Sequence, residues 1–571
     1  MKETRTKRII ILFSILIFAG ISTGFLFMQE SRDFRIAKNL DIFFSLFREL
    51  NAFYVDEIDP DKVIKSGIDN MLNTLDPYTV YYPESEADEF AFLTTGKYGG
   101  IGSLIRGGGE YVVISEVYKG FPADIAGIKA GDILKKVDGV SLKGFSSEMV
   151  SEKLKGNPGT DITVTIERNG TESDFRTKRE RIIIPPVPYY GMIDDKTGYI
   201  RFTNFTQDCV QEVKNALVSL EENNPRNIIL DLRSNPGGLL KEAVGIVNLF
   251  VGPGNEVVST KGKVKQFDEV SKTTKAAVDE NIPLAVLINR GSASAAEIVA
   301  GAIQDLDRGV IVGQRSYGKG LVQITRPLSY NTQLKVTTAK YYIPSGRCIQ
   351  ALDFLHRNED GSVGIIPDSL ISEFKTKNGR IVRDGGGITP DVGINPDPLS
   401  QAATELYLRN YIFDFATQYY WAHPDIDSIT RFRFTETDYN DFRNFLVGHK
   451  FNYRTFTEAS VNQLIANAKK EKYYDLHKDL FLQLEKEIVH DLDYDLTLFR
   501  NEITELLEEE IVSRYFYEHG AIAWGINKDE QIQKALEILE NKELYSHILS
   551  GKNGSPLITR NDNNRENTDS Q

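Results

Sequence analysis

The sequence predicts a multidomain α/β protein that ends in a helical domain. At 571 residues the chain is too long for one ordinary domain. Residues 180–397 alternate apolar strand-like runs with helical runs, which is typical of an α/β core. Residues 398–550 then keep a helical periodicity throughout. A content of 41% hydrophobic and 26% charged residues fits a globular protein.

Charge and composition argue against several classes of function. The net charge of −14, without a basic stripe carrying aromatic residues, argues against a nucleic-acid partner. The chain has only 2 cysteines and no cluster of metal-ligating residues or phosphate-binding loop in its sequence. We therefore expect no metal and no cofactor.

The first 28 residues have the pattern of a membrane or export signal. An uncharged run from Ile9 to Met28 is long enough to cross a bilayer as a helix. The basic residues before it should stay in the cytoplasm, which places the rest of the chain outside. Because no Ala-x-Ala site follows, we favour a retained anchor over a cleaved signal peptide. We expect a single-pass inner-membrane protein whose part after the anchor is extracytoplasmic, which in a Gram-negative cell is the periplasm.

The segments after this signal are helical at both ends and strand-rich between them. Residues 37–85 predict a helical N-terminal region, broken at Asp59-Pro-Asp. From residue 96 clustered glycines lead into alternating strands as far as residue 178, and a core of residues 179–397 follows. A helical domain is expected over 398–550, and residues 551–571 lack periodicity and predict a disordered tail.

Two Gly-rich stretches contain a candidate nucleophile, Ser294, and a candidate base, Lys319. All 7 histidines come after Lys319, so a Ser-His-Asp triad would need a distant histidine and lysine is the better base candidate. Ser292 is the rival nucleophile, but its position before the helix start favours a turn residue. Taken singly, a serine before a helix is usually an N-cap and a lysine between glycines is usually a solvated turn residue.

The chemistry sets conditions on both residues. A serine hydroxyl needs a base to take its proton, and lysine can do so only when burial lowers its pKa from about 10.4. Strand alternation puts Lys319, Leu321 and Gln323 on one face, so the Gln323 amide could hold the Lys319 amine. Ser294 precedes a helix-forming run, whose free N–H groups favour a developing oxyanion.

The stretches Arg290–Glu297 and Ser316–Gln323 resemble those of the carboxyl-terminal processing peptidases, or tail-specific proteases. These are PDZ-containing serine proteases with a Ser/Lys dyad. Similarity covers about residues 40–395. Further segments of the chain resemble the family's motifs: Leu75–Tyr82, Asn227–Gly238, Ala339–Arg347 and Gly385–Val392.

The resemblance implies a role for each matching residue. Ser294 would be the nucleophile, Lys319 the general base and Gln323 the residue that orients the lysine. The N–H of Ala295, with that of Gly237 or Gly238, would form the oxyanion hole. Three more residues fall on motif positions, where support of the loop and helix explains them as well as chemistry does: Arg233, Glu297 and Asp305. The core would be crotonase-like or ClpP-like rather than a doubly wound sheet.

Residues 96–178 resemble a PDZ domain. Such domains bind a peptide C-terminus as an added strand, with its carboxylate capped by backbone N–H groups of a Gly-rich loop. By position that loop is Gly99, Gly100, Ile101 and Gly102, although these residues could form only a tight hairpin turn. The expected partners are proteins or peptides with free C-termini, with a homo-oligomer or an adaptor protein left open.

The leading hypothesis is a membrane-anchored endopeptidase that recognises protein C-termini through its PDZ domain and cleaves through an acyl-enzyme. One alternative is a catalytically silent PDZ scaffold, against which the joint presence of Ser294, Lys319, Gln323 and the two glycines argues. Another alternative is a Ser/Lys amidase or esterase for small molecules, which the peptide-binding module disfavours.

Overall fold

The computed structural model describes residues 32–86, 92, 94–358, 360–488, 491–551 and 557–558. The chain divides into two units, Met1–Tyr81 and Tyr82–Gln571. Over the described ranges no helix combines the length and apolar character needed to cross a bilayer. The predicted span Ile9–Met28 lies outside the described residues.

The described part of the first unit, from residue 32 onward, has two helices, Arg32–Phe53 and Pro60–Asn73. Asp59 caps the second helix, because its side chain accepts hydrogen bonds from the N–H groups of Asp61 and Lys62 at 3.1 and 3.3 Å. The break predicted at Asp59-Pro-Asp is therefore confirmed. A short strand, Val80–Tyr82, and a 3₁₀ turn, Glu84–Glu86, follow along the chain.

The region that follows the clustered glycines near residue 96 folds into a six-stranded antiparallel sheet. Two helices, Pro122–Ala126 and Ser147–Leu154, accompany it, and buried side chains such as Ile114, Leu134 and Val150 form its own core. Its strands are Ser103–Gly108, Tyr111–Val117, Ile133–Val137, Val140–Ser141, Asp161–Arg168 and Thr171–Lys178. A separate ladder joins Lys97–Gly100 to Glu180–Ile183.

A seven-stranded sheet forms the centre of the core. Its strands lie side by side in chain order and all pairs are parallel except the first. A doubly wound sheet would reverse its strand order, so the prediction against that topology is confirmed. The strands are Tyr189–Met192, Thr197–Arg201, Asn227–Asp231, Leu284–Ile288, Val310–Gly313, Val392–Gly393 and Leu557–Ile558.

The last strand, Leu557–Ile558, lies within the segment 551–571 for which the sequence predicts disorder, and residues 552–556 and 559–571 of that segment lie outside the described residues. The two strand residues pair in parallel with Val392–Gly393 at the edge of the sheet. An edge strand of two residues leaves no periodicity to read in a sequence.

Both faces of the central sheet are covered by helices. Successive strand residues point to opposite faces, so Ile228 and Leu230 lie on one side and Ile229 on the other. The first side packs against helices Cys209–Glu221, Leu240–Phe250 and Ala295–Asp305. The other side packs against the C-terminal helices, through side chains that include Ile532 and Ile538.

A second antiparallel sheet lies beside the central one. Its long strand Gln333–Tyr342 pairs with Leu321–Pro327 on one side and with Glu256–Gly262 on the other. Glu256–Gly262 also pairs with Glu269–Lys272 and forms a hairpin with it. Two small hairpins complete the core, Leu352–Arg357 with Val363–Ile365 and Glu373–Lys375 with Ile381–Arg383.

The C-terminal part is helical, as predicted. Part of it has its own aromatic-rich core, in which Phe415 and Phe442 pack edge to face at 5.1 Å. Its helices are Gln401–Leu408, Tyr411–Ala422, Glu436–Gly448, Phe456–Lys470, Lys478–Glu487, Leu492–Leu498, Arg500–Gly525, Glu530–Glu540 and Lys542–Leu549.

The helical part also contacts the six-stranded sheet domain. The Arg106 guanidinium lies 3.3 Å from the ring centroid of Phe413 and donates to Asn410 Oδ1 at 2.7 Å. Tyr517, within helix Arg500–Gly525 but with φ 60°, donates its hydroxyl hydrogen to Asp124 Oδ1 at 2.8 Å. Helices Tyr411–Ala422 and Arg500–Gly525 therefore contact that domain.

Candidate active site

Ser294 is the N-cap of helix Ala295–Asp305, in the turn that follows strand Leu284–Ile288. Its backbone has φ 55° and ψ −112°, a conformation that L-residues avoid and that surrounding contacts must hold. Two hydrogen bonds do so: Ser294 N–H donates to Glu297 Oε2 at 2.8 Å, and Ala293 N–H donates to the Asn235 carbonyl at 2.9 Å. The turn presents a partly exposed serine at the positive end of a helix.

Ser292 is a fully buried turn residue. Its hydroxyl donates to the Leu232 carbonyl at 2.8 Å and accepts from the Asn289 N–H at 3.0 Å. The hydroxyl thus joins the turns that follow two adjacent strands. This agrees with the interpretation of Ser292 as a structural residue rather than the nucleophile.

Lys319 lies in the extended segment that leads into strand Leu321–Pro327. Its N–H donates to Glu297 Oε2 at 2.9 Å, and the N–H of Gly318 donates to the other oxygen, Oε1, at 2.7 Å. Lys319 is half-buried. The segment is therefore fixed by its backbone to the helix that Ser294 caps.

Glu297 is fully buried beneath this turn and accepts four hydrogen bonds. The fourth donor is the hydroxyl of Ser316, at 2.6 Å from Oε1. Burial raises the pKa of Glu297 to about 7, although the hydrogen bonds that it accepts oppose this rise. Glu297 holds the backbones of Ser294 and Lys319 together, which agrees with the supporting role expected for it.

Tyr341 is a residue of this site that the sequence analysis did not identify. It is 1% exposed, and its hydroxyl oxygen lies 2.6 Å from the Lys319 carbonyl oxygen and 3.2 Å from that of Ser294. Tyr341 lies within the motif Ala339–Arg347, but a tyrosine in a predicted strand is usually a core residue, so the motif alone does not indicate that Tyr341 contacts the site.

Gln323 lies in strand Leu321–Pro327, opposite Thr337 of the neighbouring strand. Its amide donates to Thr337 Oγ1 at 3.2 Å. The ladder is irregular between Val322 and Gln323, because the partner strand has one extra residue there. The orientation of Lys319 by Gln323 stays a prediction.

The loop after strand Asn227–Asp231 runs alongside the Ser294 turn. A Cβ atom on Gly237 would lie 2.7 Å from the Ala293 carbonyl oxygen and 2.8 Å from the Ala295 nitrogen, so only glycine fits there. The N–H of Gly237 donates to Asn235 Oδ1 at 2.9 Å. The N–H groups of Gly238 and Ala295, by contrast, donate to no acceptor among the described residues.

Arg233 begins this loop and pairs with the buried Asp231. Its guanidinium donates to Asp231 Oδ2 at 2.6 Å, while Arg201 approaches the other oxygen at 2.9 Å. Burial alone would raise the pKa of Asp231, but the two guanidinium groups lower it to about 2. The supporting role expected for Arg233 agrees with these contacts.

Asp305 lies at the far end of the helix that Ser294 caps. Eleven residues of helix place it about 16 Å from Ser294. It forms a buried ion pair with Arg347 at 2.9 Å and accepts from the Ser345 N–H at 2.9 Å. These contacts support the fold of the core and place Asp305 away from the nucleophile.

The four residues predicted as the carboxylate-binding loop divide into two pairs. Gly99 and Gly100 belong to the end of a strand, opposite Arg181 and Glu180, rather than to a loop, and their part in peptide binding stays a prediction. The pairing partner lies 80 residues further along the chain, which local sequence cannot reveal. Ile101 and Gly102 do form the turn before strand Ser103–Gly108, and the N–H groups of these two residues find no acceptor in the described part of the chain.

Strand Ser103–Gly108 forms one edge of its sheet. It pairs with Tyr111–Val117 on one side, and in the described residues no strand pairs with its other side. Helix Ser147–Leu154 lies beside this edge, where the Gly107 backbone comes close to the Ser147 hydroxyl. An open edge next to a helix can accept an extended peptide as an added strand.

Three parts of the chain match models of known protein families. A model of peptidase family S41 matches residues 196–371, and a PDZ domain model matches residues 92–167. A model described as the C-terminal helical domain of a probable PDZ-protease matches residues 402–539.

Known proteins with similar sequences are described as proteases of this kind. A carboxy-terminal-processing protease of Bartonella bacilliformis is 35% identical over 343 residues, which are 59% of this chain and 76% of that protein. A probable CtpA-like serine protease of Staphylococcus aureus strain COL is 34% identical over 348 residues, or 60% of this chain and 67% of that protein.

The solved structures that are similar to this chain include the photosystem II D1 C-terminal processing protease. It is 26% identical, with a TM-score of 0.35, over 63% of this chain and 93% of that one. The PDZ domain of the Vibrio cholerae carboxy-terminal protease, solved in complex with a peptide, is 21% identical, with a TM-score of 0.15, over 15% of this chain and 99% of that one.

These matches define a serine-type peptidase that carries a PDZ domain. The chain belongs to the carboxy-terminal-processing protease family, as the resemblance predicted.

Proposed function

We propose that this protein is an endopeptidase in which Ser294 is the nucleophile and Lys319 the general base. The observation that supports this most is the shared carboxylate: Ser294 and Lys319 both donate a backbone N–H to Glu297 Oε2, at 2.8 and 2.9 Å. Glu297 thereby holds Ser294 and Lys319, which are 25 positions apart, close together. The neighbouring loop contains glycines, which allow its backbone to approach Ser294 closely.

The cleavage proceeds in two stages. In the first, the neutral amine of Lys319 takes the Ser294 hydroxyl proton while Oγ attacks the scissile carbonyl carbon. The resulting ammonium returns that proton to the leaving amine as the C–N bond breaks, which leaves an ester on Ser294. In the second stage, water attacks the ester with Lys319 again as the base, which releases the carboxylic acid and restores Ser294.

The developing oxyanion would be stabilised by the N–H groups of Ala295 and Gly238. Both N–H groups have no acceptor among the described residues, whereas the N–H of Gly237 is directed to Asn235 Oδ1. Gly238 is also exposed while Gly237 is buried. These differences favour Gly238 as the second N–H donor to the oxyanion. Gly237, which has no Cβ atom, allows the loop to come close to Ser294.

The first experiment uses the chain without residues 1–28 and an unfolded protein as substrate. Wild-type protein should cleave it, and Ser294→Ala should not. A silent PDZ scaffold would show no cleavage by wild type. An amidase or esterase would hydrolyse small amides or esters but leave the protein intact, so either outcome would overturn the proposal.

The open edge at Ser103–Gly108 supports substrate recognition through a free C-terminus. A bound peptide would extend that strand, with its carboxylate at the N–H groups of Ile101 and Gly102. Amidating the C-terminus of a substrate peptide removes this charge without changing its cleavage site. Cleavage should then slow, and equal rates for both peptides would remove this role from the PDZ domain.

The N-terminal segment supports placement at the inner membrane, with the catalytic part periplasmic. The basis is the sequence alone: basic residues followed by the uncharged run Ile9 to Met28. The full-length protein should fractionate with membranes and resist alkaline extraction. Recovery of a soluble chain that begins near residue 29 would show a cleaved signal peptide instead.

A further inference from the structure

Arg233, at the start of the proposed oxyanion loop, is held by two residues of the helical domain. Its Nη1 donates to Asp529 Oδ2 at 2.6 Å and to Gln531 Oε1 at 3.0 Å. Both partners lie nearly 300 positions further along the chain, at the start of helix Glu530–Glu540. The guanidinium thus joins Asp231 of the core to the helical domain through different nitrogens.

The loop from Arg233 to Gly238 connects this contact with the turn that carries the nucleophile. Asn235 fixes its middle: the side chain accepts from Gly237 N–H at 2.9 Å and donates to the Phe202 carbonyl at 2.9 Å. The Asn235 carbonyl accepts the N–H of Ala293, beside Ser294, at 2.9 Å. A shift of Arg233 would therefore move the glycines relative to Ser294.

The helical domain is held by hydrogen bonds and packing where it reaches Arg233. Asp529 uses its second oxygen, Oδ1, to cap helix Glu530–Glu540, accepting from the N–H groups of Gln531 and Ile532 at 2.9 and 3.0 Å. Gln531 is 3% exposed, and its amide donates to the Ile394 carbonyl at 3.0 Å. The helix itself packs on the central sheet through Ile532 and Ile538.

We infer that Asp529 and Gln531 are positioning residues of the active site and that the helical domain completes the oxyanion loop. They touch neither substrate nor reacting atoms; they hold Arg233, and through it the glycines that face Ser294. The inference rests on the proposed function, because it concerns the loop to which the oxyanion is assigned.

Two substitutions separate the charge of Asp529 from its capping role. Asp529→Asn keeps a good N-cap and loses the charge opposite Arg233, whereas Asp529→Glu keeps the charge and loses the favoured cap. A positioning role predicts that Asp529→Asn lowers kcat about tenfold with KM within about twofold, since even small misplacements of catalytic groups slow the chemical step. Asp529→Glu should retain more of the kcat while having the lower Tm.

Glu540→Gln is the matched control. Glu540 ends the same helix and pairs with Lys196 of the core at 3.0 Å, on an exposed surface away from the loop. This variant should leave kcat unchanged. Gln531→Met, which removes the second acceptor of Arg233 at similar volume, should lower kcat in the same direction as Asp529→Asn.

The experiment is steady-state cleavage of one peptide, with Tm measured for every variant. The inference is overturned if Asp529→Asn has the kcat of Glu540→Gln, or if kcat follows Tm across the series so that Asp529→Glu is the slowest. A failure of the proposed function looks different, because wild type would then show no cleavage that depends on Ser294.

Discussion

Ser294 and Lys319 donate their backbone N–H groups to the same oxygen atom, Oε2 of Glu297, at 2.8 and 2.9 Å. One buried carboxylate thereby sets the position of the candidate nucleophile against that of the candidate base. The Ser294 N–H is the usual partner of an acidic residue at the third position of a helix, whereas the Lys319 N–H comes from a separate segment of the core.

The first prediction concerns this carboxylate. Glu297→Gln places an NH₂ group against the Gly318 N–H or, with the amide turned, against the N–H groups of Ser294 and Lys319, so at least one backbone N–H loses its acceptor. We expect kcat to fall about 100-fold, since displacements near 1 Å can cost that much, and the free energy of unfolding to fall by about 1–3 kcal/mol.

The control for Glu297→Gln is Glu242→Gln. Glu242 also lies in the first turn of a core helix and accepts a backbone N–H, that of Val210 at 3.4 Å, but it does not contact Ser294 or Lys319. A loss of kcat as large in Glu242→Gln as in Glu297→Gln would argue against a specific role for Glu297. Peptide cleavage and urea unfolding measure the two quantities.

The second prediction concerns Tyr341. Tyr341→Phe keeps the buried ring and removes the hydroxyl that contacts the Lys319 carbonyl at 2.6 Å. We expect a loss of about 1 kcal/mol in stability, which is typical of one hydrogen bond, and a several-fold fall in kcat at constant KM. Tyr342→Phe, one position along the same strand, should change neither by much. An unchanged kcat in Tyr341→Phe would leave the hydroxyl a purely structural role.

The third prediction separates Ser292 from Ser294. Ser292→Ala removes the hydroxyl that bridges Leu232 and Asn289, so stability should fall by about 1–3 kcal/mol. At a temperature where this variant is folded, it should still cleave peptide, unlike Ser294→Ala. Inactivity of a folded Ser292→Ala, beside an active Ser294→Ala, would reverse the assignment.

The fourth prediction uses the lowered pKa of Asp231. The folded-state value of about 2 lies below the unfolded value of about 3.9, so this group stabilises the fold above pH 4 and loses that contribution as the pH falls through 2. Asp231→Asn lacks this titration. The difference in unfolding free energy between wild type and Asp231→Asn should therefore shrink by about 2 kcal/mol from pH 5 to pH 2. A constant difference would contradict the role of Arg201 and Arg233.

The sequence predicted much of this site because its signals are local. Ser294 before a helix-forming run, Lys319 between glycines and the pair Gly237-Gly238 all stand within short motifs. The alternation of strands and helices likewise predicted the α/β core, and the helical periodicity of residues 398–550 predicted the helical C-terminal part. Helix Ala295–Asp305 and strand Leu321–Pro327 lie close to where that pattern placed them.

What the sequence did not predict depends on contacts between distant segments. Asp529 reaches Arg233 across 296 positions, and Gly99 pairs with Arg181 from beyond the intervening sheet domain. The motif around Tyr341 indicates only a strand, because its hydroxyl contacts depend on strand Gln333–Tyr342 lying beside the Ser294 turn. Such contacts follow from tertiary packing, which a local pattern does not encode.

The most direct test of the Ser/Lys assignment is covalent labelling with a fluorophosphonate, followed by mass spectrometry of the digested protein. We expect one adduct, on Ser294, at a rate that rises with pH in wild type as the base loses its proton. Lys319→Met should slow this labelling strongly while Tm stays near that of wild type. An adduct on Ser292, or labelling of Ser294 at the wild-type rate in Lys319→Met, would contradict the Ser/Lys assignment.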